Sequence, residues 1–228
     1  VAAIDIAGLA VAFPVSIGIA LVVGVVLSYA LQPKGNAEFL ALGVICALIA
    51  VILDGKAYGR LAAAGRAASR KSIVTCIVSG ILMGLWAPFM AHAMTHGNTL
   101  GPYSAAVFLT LGALLSCFIW NLYFMRYPLV GAPVSIRGLF YAPVSNHLLG
   151  LLGGLIWGLG TVFNLVAASL TGVAISYAIG QSAPMVAALW GILAWHEFRG
   201  SGGRAKAYLG LMFLFYGLAI FLVAHANG

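Results

Sequence analysis

Acidic side chains are nearly missing from this chain: Asp5, Glu38, Asp54 and Glu197 are the whole complement among 228 residues. Charged residues of both signs make up 7% of the sequence, against 63% hydrophobic. That is too little charge to solvate a water-soluble domain of this size. Cysteine is scarce too. Cys46, Cys76 and Cys117 lie inside apolar runs, with neither CxxC spacing nor histidines at ligand spacing. They read as small packing residues and offer no disulfide framework or metal site.

Catalytic signatures are also missing. Asp54-Gly55-Lys56 lacks the upstream glycine of a phosphate loop, and His196-Glu197 lacks the second histidine of a zinc protease. Gly158-Leu159-Gly160 has no strand–turn–helix unit around it. The last apolar run, 207–226, holds no lysine, as a retinal receptor would require. The four acids are dispersed rather than paired, which argues against an intramembrane hydrolase. Neither an enzyme nor a cofactor is expected.

What the chain does have is long apolar runs, at about 7–30, 38–54, 73–94, 103–125, 148–170, 173–194 and 207–226. A helix needs roughly 20 residues to cross the hydrocarbon, and backbone polar groups there must be satisfied within the span. The expectation is an all-α polytopic membrane bundle with seven spans. The second run is short, which predicts Glu38 and Asp54 at its interfaces.

The net charge of +7 sits in the gaps between runs. It forms no basic face with interleaved aromatics, so no nucleic-acid partner is expected. Ten of the eleven Lys and Arg fall in the segments 54–72, 126–147 and 195–206; Lys34 is the exception. By the positive-inside rule these three segments are cytoplasmic, and the turns 32–37, 95–102 and 170–172 are external. The expected location is the plasma (cytoplasmic) membrane, with the lipid bilayer as the principal partner. The oligomeric state is left open.

A hairpin recurs. Residues 1–53 and 166–223 both read as helix, polar turn and helix, pairing Gly8 with Gly172, Ala10 with Ala174, Val22 with Val186 and Phe39 with Tyr208. The first copy begins inside and the second outside, so the repeat is inverted. Inverted repeats mark secondary transporters, with the substrate site near mid-membrane. Five spans separate equivalent helices, so a complete protein would hold about ten. On this reading residues 1–54 are the remainder of a first repeat truncated at its N-terminus. Residues 55–72 are a basic cytoplasmic linker, and 73–228 are a second five-helix repeat.

Polar residues inside the spans are the candidate site. Asn164 and Gln181 lie near mid-span. A buried amide needs a partner, which could be a neighbouring helix or a substrate. Thr161, Ser176 and Tyr177 lie close by, and Phe13 and Trp86 could stack on a planar ligand. Pro14, Pro88 and Pro184 sit within spans as kinks or as hinges. Asp5 and Glu197 are the proton-coupling candidates, although Glu197 could equally pair with Arg199 at the interface. Gly80/Gly84 and Gly154/Gly158 have the small-xxx-small spacing that permits close helix approach.

Three segments resemble the ureide permease family of the drug/metabolite transporter superfamily. They are SGILMGLWAPFMAHA (79–93), NLYFMRYPLVGAPVSIRGLF (121–140) and GLGTVFNLVAASLTGVAISYAIGQSAPMVAALWGILAWHEF (158–198). The resemblance implies ten helices in two inverted halves and proton-coupled uptake of ureides and nucleobases such as allantoin and uracil. It carries the family's Gln and Pro of the penultimate helix onto Gln181 and Pro184, and a polar position of the preceding helix near Thr161 or Asn164. Plant members carry a phosphate-loop-like motif in a long central loop; 54–72 is short and lacks it. The reading is a secondary active transporter for a small polar metabolite, working by alternating access, with protons as candidate co-substrate. A sugar carrier of the same superfamily and a non-transporting membrane scaffold are the alternatives.

Overall fold

The computed structural model describes residues 9–61, 70–96, 99–129, 131–194, 196 and 198–226. Among them every regular element is a helix. The order is α1 (Leu9–Leu31), α2 (Ala37–Leu61), α3 (Arg70–Thr95), α4 (Pro102–Arg126), the single turn α5 (Arg137–Phe140), α6 (Val144–Thr171), α7 (Val173–Gly180), α8 (Ala183–Leu193) and α9 (Gly203–His225). Six stretches are long and apolar enough to cross a membrane, with α7 and α8 counted together, and Val15–Leu31 of α1 is a shorter apolar helix. The fold is a polytopic helical membrane bundle, as the hydropathy pattern predicts.

One boundary differs from that pattern. The run 38–54 predicts a span ending at Asp54 and a linker from 55. Instead α2 continues to Leu61 and carries Lys56 and Arg60, while Asp54 is only 3% exposed. The cause is periodicity. Ala47, Ala50, Val51, Asp54 and Ala57 recur at helical spacing and bury one continuous face. Counting apolar residues stops at the first charge; the packing stripe does not. At the other end of α2, Asn36 Oδ1 caps the helix, accepting from the Glu38 N–H at 2.9 Å and the Phe39 N–H at 3.3 Å.

The core forms around α1, which packs on α3, α2 and α7, while α2 packs on α9. The α1–α3 crossing is close because α3 is bare there. A Cβ on Gly80 would sit 2.6 Å from the Ser16 carbonyl oxygen, and one on Gly84 would sit 2.9 Å from that of Ala20. The spacing of Gly80 and Gly84 therefore does what small-xxx-small spacing permits. Gly154 and Gly158 on α6 face open space instead.

The chain ends of the helices show how they run. Gln32 Oε1 accepts from the Val173 N–H at 3.2 Å, and the Lys34 ammonium donates to the Leu170 carbonyl. Further back along α1, Tyr177 of α7 reaches Ala20. So α1 and α7 are antiparallel. Asn36 N–H donates to the Ala226 carbonyl at 2.6 Å, and Gly43 lies against Ala219 and Val223. So α2 and α9 are antiparallel too. The turns 32–37 and 170–172 thus share one end of the bundle. At the other end Tyr58 meets Phe198 edge-on at 5.5 Å. The tight turn between α6 and α7 is made by Gly172, whose φ of +94° suits glycine alone.

An amide-lined cavity beside a broken helix

The predicted continuous span 173–194 is interrupted. α7 ends at Gly180, α8 starts at Ala183, and Gln181 and Ser182 form the joint with ψ of 2° and 0°. The physical reason is Pro184, which has no N–H to give the Gly180 carbonyl. It sits in the first turn of α8, where a missing donor is tolerated. In a membrane such a joint persists only where protein or a cavity surrounds it.

Here it borders a cavity of about 690 Å³, within the range of small-molecule sites. Gly180, Gln181, Ala183, Pro184 and Ala187 form one wall. Trp157, Gly160, Thr161 and Asn164 of α6 form the second, and Ile17, Met83, Trp86, Leu109, Ala113 and Tyr177 close the rest. Most of the lining is apolar, with Thr161, Asn164, Tyr177 and Gln181 as its polar side chains.

Asn164 is held in place. Its Nδ2 donates to the Ser176 carbonyl at 3.0 Å, and Ser176 Oγ donates back to the Asn164 carbonyl at 2.7 Å. This exchange ties α6 to α7. It leaves Asn164 Oδ1 and the second Nδ2 proton for other partners. Gly180 lies directly beneath: a Cβ there would stand 3.0 Å from Asn164 Nδ2. The Gln181 carboxamide makes no hydrogen bond to another described residue. Thr161 Oγ1 donates to the Trp157 carbonyl at 2.9 Å and keeps its acceptor capacity.

Tyr177 is fully buried and donates to the carbonyls of Ala20 (3.2 Å) and Met83 (3.4 Å). Its ring fits only because residue 24 is glycine: a Cβ there would come within 2.2 Å of the ring. Trp86 packs edge-on against Tyr177, with ring centroids 5.4 Å apart. Tyr177 therefore joins α1, α3 and α7 and presents its ring to the cavity, its hydroxyl already engaged.

The cavity brings together Thr161, Asn164, Tyr177, Gln181 and Trp86 of the sequence candidates, along with Pro184. Ser176 is buried behind the wall as the tie to Asn164. Pro88 lies inside α3 and does not line the cavity. Phe13 and Pro14 fall within α1, but their side chains lie outside the described part, and Asp5 and Glu197 are outside the described residues. The apolar wall residues Ile17, Met83, Leu109 and Ala113 carry no mark in the sequence separating them from other packing positions. Asp54 is the larger omission, since its place on the buried stripe of α2 was legible from its spacing.

The apolar helices define a multi-pass membrane protein, with four polar side chains on the wall of one cavity. The ureide permease family model matches residues 72–226, and the chain belongs to that family. It is similar to ureide permease 1 of Arabidopsis thaliana, 25% identical over 164 residues that cover 68% of this chain and 42% of that protein. It is also similar to ureide permease 5 of the same plant, 26% identical over 138 residues, covering 60% of this chain and 33% of that protein. The chain thus spans less than half the length of these relatives. No solved structure matches it.

Proposed function

We propose that this chain is part of a secondary transporter that carries a small, planar, polar metabolite of the ureide or nucleobase type by alternating access. The observation that carries the reading is the broken helix whose joint residue, Gln181, borders the same cavity as the anchored amide of Asn164. A primary carboxamide has one acceptor and two donors in a plane. It can pair edge-to-edge with the N–H and C=O groups of a cyclic amide or urea. Trp86 and Trp157 on the cavity wall supply flat apolar surface for such a ring. A sugar would bring hydroxyls all around its ring to a lining that is mostly apolar. A scaffold would leave no reason for an amide without a protein partner.

Alternating access fits the geometry. The antiparallel pairings of α1 with α7 and α2 with α9 are what an inverted repeat would give, and discontinuous helices at a repeat interface are how such carriers build their sites. On this reading α1 and α2 belong to one half of a ten-helix protein and the helices from α3 on to the other, joined by the segment after Leu61. The basic segments face the cytoplasm of the plasma membrane, Pro88 and Pro184 serve as flex points, and protons are the coupling ion. Reconstitution of the complete transporter in proteoliposomes tests this with radiolabelled allantoin, uracil and a hexose. Saturable uptake of allantoin or uracil that excess unlabelled compound abolishes is the expected result. Uptake of the hexose alone favours the sugar reading, and uptake of none contradicts transport of this class.

A further inference from the structure

Outside the cavity, the most unusual polar groups lie between α2 and α9. Asp54 is 3% exposed, and its Oδ1 has no hydrogen-bond partner. Tyr216 on α9 is fully buried, and its hydroxyl also lacks one. Asp54 lies three residues from both Val51 and Ala57, which share one buried cluster with Tyr216. Tyr216 belongs to an apolar cluster with Ile17, Val51, Met212 and Ala188.

We propose that Asp54, with Tyr216 beside it, is the site where a proton binds and leaves during the transport cycle; this rests on the carrier reading above. An ionised carboxylate without a partner is costly at such a place, whereas a protonated one is neutral and can donate to a hydroxyl. One carboxyl and one phenol offer too few oxygens for a metal cation, which takes about six. A proton needs only one. Among the described residues, the elements packed against α2 set no charge beside Asp54. α1 and α8 also pack on α2, and α8 has no titratable side chain. In α1 the sole one is Tyr29, at its far end on the Gly35 carbonyl. On α2 itself Lys56 and Arg60 are exposed, Tyr58 meets Phe198, and Glu38 and Cys46 lie toward the opposite end. On α9 Arg204, Lys206 and Tyr208 occupy the first two turns, with His225 at the far end.

The site is placed to communicate with the cavity. Ile17 both lines the cavity and belongs to the apolar cluster that holds Tyr216 and the Val51 face of α2. α8 does the same with two faces: Pro184 and Ala187 toward the cavity, Met185 and Ala188 toward that cluster. A shift of α8 on substrate binding would change the surroundings of Asp54 without any direct contact between substrate and proton.

The test separates this site from the transport reading. In proteoliposomes holding the complete transporter, counterflow of radiolabelled allantoin or uracil needs only the cavity, whereas accumulation under an imposed pH gradient needs the proton site. Asp54→Asn is expected to retain counterflow and to lose gradient-driven accumulation. Wild-type accumulation by Asp54→Asn overturns the assignment and leaves the carrier intact. Infrared pH titration of the purified protein reads the carboxyl with no substrate present, so it decides even if neither compound is carried. The wild type should show a titrating carboxyl band that is missing from Asp54→Asn and displaced in Tyr216→Phe, the variant to use if Asp54→Asn does not insert. An identical carboxyl titration in wild type and either variant contradicts the proposal.

Discussion

Two pairs of glycines with the same spacing have opposite surroundings. Gly80 and Gly84 let α3 rest against the backbone of α1, whereas Gly154 and Gly158 on α6 have nothing within 4 Å. The contrast extends to whole helices. α1, α2, α7 and α9 share continuous buried faces. α4 packs through a small cluster of Ala105, Ala106 and Leu165, and α6 through that cluster, Ala168 and the Asn164–Ser176 tie to α7. Their outer faces are apolar and open, with Ile119 at 69% and Leu151 at 73% exposed. Small-xxx-small spacing thus marks a surface that can be approached closely, and says nothing of what approaches it. The amide cavity lies at the seam between the densely packed block and these two more open helices.

Substitutions can sharpen that contrast. The largest expected effect is at Gly24, where a methyl group meets the Tyr177 ring in the dense block. Gly24→Ala should destabilise by about 3 kcal/mol, the upper part of the overpacking range, seen as a lower thermal midpoint in detergent. Ser176→Ala removes one half of the tie between α6 and α7 and should cost about 1 kcal/mol. It should also weaken uptake by loosening Asn164, and chemical denaturation beside uptake reads both. Gly180→Ala adds a methyl group against Asn164 Nδ2; uptake should fall while the thermal midpoint changes little. The smallest effect is expected in the open pair. Gly158→Ala meets no atoms and should stabilise α6 by about 0.5–1 kcal/mol through helix propensity alone. A large loss of stability there would mean that α6 is as closely covered as α3.

Much of this architecture was legible in the chain. The helices follow from apolar runs bounded by Gly, Pro and charge, because backbone satisfaction in lipid leaves few alternatives. The interruption at Gln181 was signalled by Pro184, although the residue composition of 173–194 reads as one span. Asn164 and Gln181 stood out because amides are rare inside spans, and the fold sets both on one cavity wall system. The rest depends on pairings that no single segment encodes. Asp54 looked like a helix end because two cations follow it closely; the stripe it sits on can be read from α2 alone, but not that α9 covers it. The glycine seat for Tyr177 needs residues 153 positions apart to meet. The apolar cavity wall consists of ordinary packing residues given a role by position.

The most direct test of the amide cavity is uptake by Gln181→Leu in the reconstituted complete transporter, with membrane insertion checked in parallel. The variant keeps the approximate volume and removes every polar atom of the side chain, so insertion at the wild-type level with uptake of allantoin and uracil reduced to that of empty vesicles is the predicted result. Uptake at the wild-type rate would show that the cavity's free amide takes no part in carrying the substrate.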